Sequence, residues 1–196
     1  MVSGLSHFGG TMNVICRTVS LLTVCSAAAF AQKSQPIEIG FDASLASIKY
    51  NYNQNTPNGQ RQGSTTSTLF AFPIQSVRVG FPLNDRIALE PSLGFMHAST
   101  DGFSQTGYDA RVALLVALTQ DRHQPQWFAR PFVGVAHDWQ GLLDTHTTLG
   151  VGAGVRLPMA DRIASRIEGR YTYYSMSNFD GGHELGLYFG LSFFTH

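Results

Sequence analysis

One segment near the end of this 196-residue chain alternates without a break. Leu185, Leu187, Phe189, Leu191 and Phe193 are interleaved with Glu184, Gly186, Tyr188, Gly190 and Ser192. A helix would scatter the first set around its axis, whereas a strand puts all five on one side. Alternation of this length therefore fixes two things together: strand structure, and a sheet whose two faces meet unlike surroundings.

The pattern recurs upstream. Ile37, Ile39, Phe41 and Ala43 oppose Glu38, Gly40 and Asp42. Val77, Val79 and Phe81 oppose Arg78 and Gly80. Ile87, Leu89, Leu93 and Phe95 oppose Glu90, Ser92 and Gly94. Tyr108, Ala110, Val112, Leu114, Val116 and Leu118 oppose Asp109, Arg111, Ala113 and Ala117. Pro131, Val133 and Val135 oppose Arg130, Gly134 and Ala136. Leu149, Val151, Ala153, Val155 and Leu157 oppose Gly150, Gly152, Gly154 and Arg156. Ile163, Ile167, Tyr171 and Tyr173 oppose Arg166, Glu168, Arg170 and Thr172. The sum is about eight strands, each near the ~9–11 residues a tilted strand needs to cross a bilayer. Pro91 and Pro131 interrupt two of them, and bulges would accommodate both.

A soluble sandwich also alternates, so the polar face decides. Facing water, it would be rich in Lys, Thr and Glu. Here it carries Gly, Ala and Ser with arginines and acids spaced among them, and only 13% of the chain is charged, against roughly 25% in soluble domains. Small residues and pairable charges suit the narrow interior of an eight-stranded barrel. The wide apolar face, with Tyr and Phe toward the strand ends, suits lipid contact and interfacial girdles. The expected fold is an all-β, eight-stranded antiparallel up-and-down transmembrane barrel. Thirteen basic and thirteen acidic residues balance, which gives no basic skew for nucleic acid.

The connections alternate in length. Pro82-Leu83-Asn84-Asp85, residues 120–126 and Pro158-Met159-Ala160-Asp161 are short; residues 53–67, 99–107, 138–147 and 175–182 are longer and polar. Short turns on one side and long loops on the other is the asymmetry of outer-membrane barrels, with both termini on the short, periplasmic side. Pro82 and Pro158 would fix φ in their turns, while Asp85 and Asp161 would cap them.

The N-terminus fits export. Arg17, the apolar residues 19–29 and the small-x-small ending Ala29-Phe30-Ala31 are the parts of a secretory signal peptide. Residues 1–31 are read as that signal, with Met12 an alternative start, and residues 32–196 as the barrel. Both cysteines, Cys16 and Cys25, fall inside the signal, so the mature chain has no thiol for a disulfide or metal site. Leu22-Thr23-Val24-Cys25 fits a lipoprotein box poorly, because Val24 sits where a small residue belongs.

With its signal, alternating strands, short inner turns and aromatic last strand, the chain resembles the small outer-membrane β-barrel superfamily of outer membrane proteins A and X. The resemblance covers roughly residues 32–196 and implies a bacterial outer-membrane location in a Gram-negative envelope. It also implies that Leu187, Phe189, Leu191 and Phe193 form the signal read by the barrel-assembly machinery. Thr195 and His196 follow the last aromatic residue here.

Candidate chemistry lies first in the lumen. Glu38, Asp42, Arg78, Glu90, Asp109, Arg111, Arg156, Arg166, Glu168, Arg170 and Glu184 should all point inward and pair, since an unpaired charge there is costly. A salt-bridged plug is favoured over a small-solute pore, because eight strands enclose space that side chains fill. A second candidate is His97-Ala98-Ser99, whose His-x-Ser spacing resembles that of lipid A deacylase barrels, in which His activates Ser for ester hydrolysis. That motif is His-x-Ser-Asn late in the chain; here the late segment reads Ser175-Met176-Ser177-Asn178, with Ser175 where the general base belongs. No enzyme, metal or cofactor is expected. Outer-membrane lipid and the barrel-assembly machinery are the expected partners of a monomer.

Overall fold

The computed structural model describes residues 35–56, 59–100, 103–119, 124–137, 145–175 and 181–195, leaving aside the side chains at 48, 50–56, 59–62, 65, 67, 69–75, 96–100 and 103–106. The segment read as a signal, 1–31, lies outside the described residues. Each alternating segment is a strand: β1 (Glu38–Thr56), β2 (Gly59–Pro82), β3 (Ile87–Thr100), β4 (Phe103–Ala117), β5 (Gln126–His137), β6 (His146–Ala160), β7 (Ile163–Ser175) and β8 (Gly182–Phe194). Each pairs antiparallel with its neighbours in sequence, and β8 returns to β1, closing an up-and-down barrel.

The pairing register sets the barrel's width. From Asp42 it leads through Ser76, Gly94, Asp109 and Ala136 to His146 on β6. In the other direction it leads through Gly190 and Arg166 to Arg156, on the same strand but 10 residues away. That stagger over eight strands, with ordinary strand spacing and rise, gives a tilt of about 40° and a backbone radius of roughly 8 Å. Side chains fill a cylinder that narrow.

The two faces are sorted as the alternation predicts. Leu93, Phe95, Val133, Leu149, Val151, Leu185, Leu187 and Phe189 point outward and are exposed, while the buried side chains are small, polar or charged, with a few aromatics and Leu115. A soluble protein has the opposite arrangement. On β1 the apolar outward positions begin at Ile39 and end below Lys49. Ten residues of strand at this tilt rise about 26 Å, close to the ~25 Å apolar band of a membrane barrel.

Several local expectations need correction. The turn between β2 and β3 is capped by Asn84, which the sequence reading passed over in favour of Asp85: Asn84 Oδ1 accepts from Arg86 N at 2.8 Å and Ile87 N at 2.9 Å. Asn, like Asp, closes such a turn by reaching the backbone two or three residues on, and here it stands one position earlier.

Neither Pro91 nor Pro131 has a bulge. Pro91 pairs in register with Val112, and Pro131 with Val151. The missing N–H of each instead faces its other neighbour. Between β2 and β3 the pairing passes from Arg78↔Ser92 to Phe81↔Leu89, and between β4 and β5 from Ala113↔Phe132 to Val116↔Ala129, with the register unchanged. The gap in each ladder is where a proline has no hydrogen to give. Register shifts fall elsewhere, at Asp42/Ser44 and Pro158/Ala160.

Two of the segments read as long loops are largely strand. β1 and β2 continue as a paired ribbon to Thr56↔Gly59, and β3 and β4 to Thr100↔Phe103. Backbone pairing there proceeds without alternation, because a ribbon beyond the bilayer meets water on both faces and has no apolar side to display.

Candidate functional site

The lumen is built from residues that alternation turns inward and glycines that make room for them. A Cβ at Gly40 would fall on the Arg78 guanidinium, at Gly190 or Gly94 on the carboxylate of Asp42 or Asp109, and at Gly152 on Glu168. At Gly150 and Gly154 it would strike Phe132 and Phe128 together with neighbouring backbone carbonyls. Small residues on one strand thus seat large ones on the next, as the interior of a narrow barrel requires.

Three layers result. Nearest the end that carries the short turns, Glu38 pairs with both Arg78 and Arg156. Arg78 Nε also donates to both oxygens of Asp42 at 3.2 Å, and its Nη2 to Ser192 Oγ at 2.8 Å. Arg156 Nη1 donates to Gln126 Oε1 at 3.3 Å.

In the middle layer two carboxylates hold several guanidiniums. Glu90 accepts from Arg130 Nε at 2.8 Å and from Arg166 Nη1 at 3.0 Å. Glu168 accepts from Arg166 Nη2 at 2.9 Å and from Arg170 Nε at 3.1 Å, with Arg130 Nη1 at 3.5 Å. Glu90 is 0% exposed, and Arg130 and Glu168 each 1%, so water cannot share the load and the carboxylates must be met by guanidiniums. Arg166 also lies over the Phe128 ring, 4.3 Å from its centroid.

The outer layer mixes charge with aromatic faces. Arg170 sits 3.6 Å from the Tyr188 centroid, while Arg111 stacks over Phe132 and pairs with Asp109 at 2.7 Å. Glu184 accepts from the hydroxyls of Tyr174 and Tyr188, the latter at 2.6 Å. Arginine on an aromatic face gains where water is excluded.

All eleven charged residues selected from the sequence thus lie in the lumen. Arg130 was missing from that set although its own alternation turned it inward, and it proves central, bridging Glu90 and Glu168. Also missed were Ser192, Gln126, Tyr174, Tyr188, Phe128 and Phe132. The aromatics were hidden because large apolar residues are expected on the lipid side, yet in strand parity they share the charged face. With Arg130, the described residues place six carboxylates (Glu38, Asp42, Glu90, Asp109, Glu168, Glu184) and six guanidiniums (Arg78, Arg111, Arg130, Arg156, Arg166, Arg170) in the lumen. Each carboxylate is engaged, which leaves none placed as a free general base.

His97 and Ser99 lie on β3, in register with Thr106 and Ser104, and their side chains are outside the described set, as are residues 176–178. Among the described residues no three His, Asp or Glu side chains converge as a metal would require. Leu187, Phe189, Leu191 and Phe193 face outward on β8, where Phe193 meets Phe41 edge-on at 6.2 Å.

A family model described as outer membrane protein beta-barrel domain matches residues 18–193. Among solved structures, the crystal structure of Neisserial surface protein A is similar with a TM-score of 0.56, over 80% of this chain and 96% of that one, at 13% identity. The solid-state NMR structure of the outer membrane protein AlkL in DMPC lipid bilayers gives a TM-score of 0.53 over 84% and 94%, at 12% identity. At such identities the likeness is one of fold. No curated protein matches the sequence.

Proposed function

Since the chain belongs to the outer membrane protein beta-barrel domain family, we propose that it acts there as a closed, monomeric barrel with a structural or surface-interaction role. The observation that carries this reading is the ion-paired middle layer, in which Glu90 and Glu168 are held among Arg130, Arg166 and Arg170. A solute crossing the lumen would have to part these groups, and uncoupling a buried pair costs about 3–5 kcal/mol. Among the described residues the six acids and six arginines of the lumen balance, which gives it no net field selecting ions of one sign.

Outward-facing apolar residues provide the contact with lipid. The aromatic last strand, Leu187 to Phe193, is the segment offered to the barrel-assembly machinery. Substituting Phe193 with Ser should therefore slow insertion in cells more than it lowers the stability of refolded protein.

The reading is tested by reconstituting the folded barrel in vesicles and following the efflux of small sugars and ions. Vesicles that stay as tight as protein-free controls support a closed barrel. Steady efflux would favour the small-solute pore instead. Altered lipid A in expressing cells, lost on His97→Ala or Ser99→Ala, would move the assignment to an esterase.

A further inference from the structure

The outward wall formed by β7, β8 and β1 ends in a row unlike any beneath it. Lys49, His183 and Tyr173 stand side by side in register across the three strands. Below them come Ser47, Leu185 and Tyr171, then Leu45, Leu187 and Gly169, then Ala43, Phe189 and Ile167. The row lies about 26 Å above Ile39, at the outer boundary of the apolar band. Lys49 is exposed and is the only charged residue among the outward-facing described side chains of these strands. His183 lies against both tyrosines: its ring centroid is 5.4 Å from that of Tyr173, and its Nδ1 is 2.6 Å from Tyr171 Oη. A neutral His183 whose Nδ1 accepts from Tyr171 carries its proton on Nε2, as a further donor.

Gly169, two rows below, gives the second observation. The lumen glycines are crowded, but a Cβ at Gly169 would meet nothing nearer than the Ala153 carbonyl at 3.9 Å. No clash requires glycine here. Its lack of a side chain, next to Ala153 in register on β6, leaves a shallow notch in the lipid-facing wall, flanked by Leu187 and Ile167. A cation with hydrogen-bond donors above an apolar notch is complementary to a lipid with an anionic head and a long chain.

We propose that this wall binds an outer-leaflet lipid bearing a phosphomonoester. Its phosphate is held by Lys49, His183 and the Tyr173 hydroxyl, and one acyl chain lies in the notch at Gly169. The proposal rests on the outer-membrane placement argued above. Failure of that placement would appear separately, as the absence of a heat-modifiable folded band in every vesicle.

The test compares retention of lipid A with that of its dephosphorylated form, by native mass spectrometry of the folded protein taken from phosphatidylcholine vesicles doped with either. One basic residue near an anionic surface is worth roughly a fivefold preference. Wild type should favour the phosphorylated form by about that factor. Lys49→Gln should remove the preference, and Gly169→Leu should lower retention of both forms alike. His137→Gln, which alters a histidine stacked on Tyr108 elsewhere on the outer wall, should change nothing. All three variants change outward-facing positions, and heat-modifiability checks their folding. Equal retention of the two lipids by wild type, a preference that survives Lys49→Gln, or an equal loss in His137→Gln would overturn the proposal.

Discussion

The barrel body and the β1–β2 ribbon are made by the same two strands, yet they obey different rules. In the body, β1 has β2 on one side and β8 on the other, up to Tyr50↔Gly182. Beyond that level residues 51–56 pair only with residues 59–64 of β2. Within the body one face meets lipid and the other a charged lumen, so a slip of one residue would turn Glu38, Asp42 and Arg78 into hydrocarbon. Register there is fixed by the cost of that slip. The ribbon sequence, rich in Asn, Gln, Thr and Ser, loses nothing by slipping. Alternation therefore reports contrast between two solvents, and strands without contrast leave no such trace.

If that distinction is right, substitutions should be graded by which side of it they touch. The largest effect is expected at Glu90, where Glu90→Ala leaves three buried arginines, Arg130, Arg166 and Arg170, to share Glu168 alone. The barrel should lose about 3–5 kcal/mol, read from the urea midpoint of the heat-modifiable band. Next comes the lipid side: Leu187→Arg, near the middle of the apolar band, should cost about 2–4 kcal/mol in a bilayer. Gly154→Ala follows at roughly 1–3 kcal/mol, because its Cβ would press on the Ile167 carbonyl and the Phe128 ring. The smallest effect should come from replacing residues 53–62 of the ribbon with a short Gly-Ser turn, which should leave the urea midpoint within about 0.5 kcal/mol of wild type. A ribbon deletion as harmful as Glu90→Ala would erase the distinction.

How much was legible in the sequence follows the same line. Strands β5 to β8 could be read from Pro131, Leu149, Ile163 and Leu185 onward, because their faces differ at nearly every step. The outer halves of β1 and β2 could not, since Asn51, Asn53 and Ser64 resemble loop residues as much as strand residues. In the lumen, charge betrayed eleven of the twelve ionic positions among the described residues. Partner choice was not visible, because it depends on side chains that meet across the barrel: Glu90 on β3 holds Arg130 on β5 and Arg166 on β7. Phe128, Phe132 and Tyr188 were legible only in their parity, and composition argued the other way. Asn84 was overlooked beside Asp85 as a turn cap because the two are chemically similar there, and only geometry shows which backbone N–H groups Asn84 reaches.

The central claim is that the middle layer closes the lumen, and conductance across a planar bilayer tests it most directly. Wild-type protein, shown to be folded by its heat-modifiable band, should give no stepwise current at moderate voltage. Glu90→Ala, if it folds, should give brief openings as its two arginines separate. Steady, ohmic steps from wild type would contradict the account, because a lumen closed at the layer of Glu90, Glu168, Arg130, Arg166 and Arg170 leaves no path for ions.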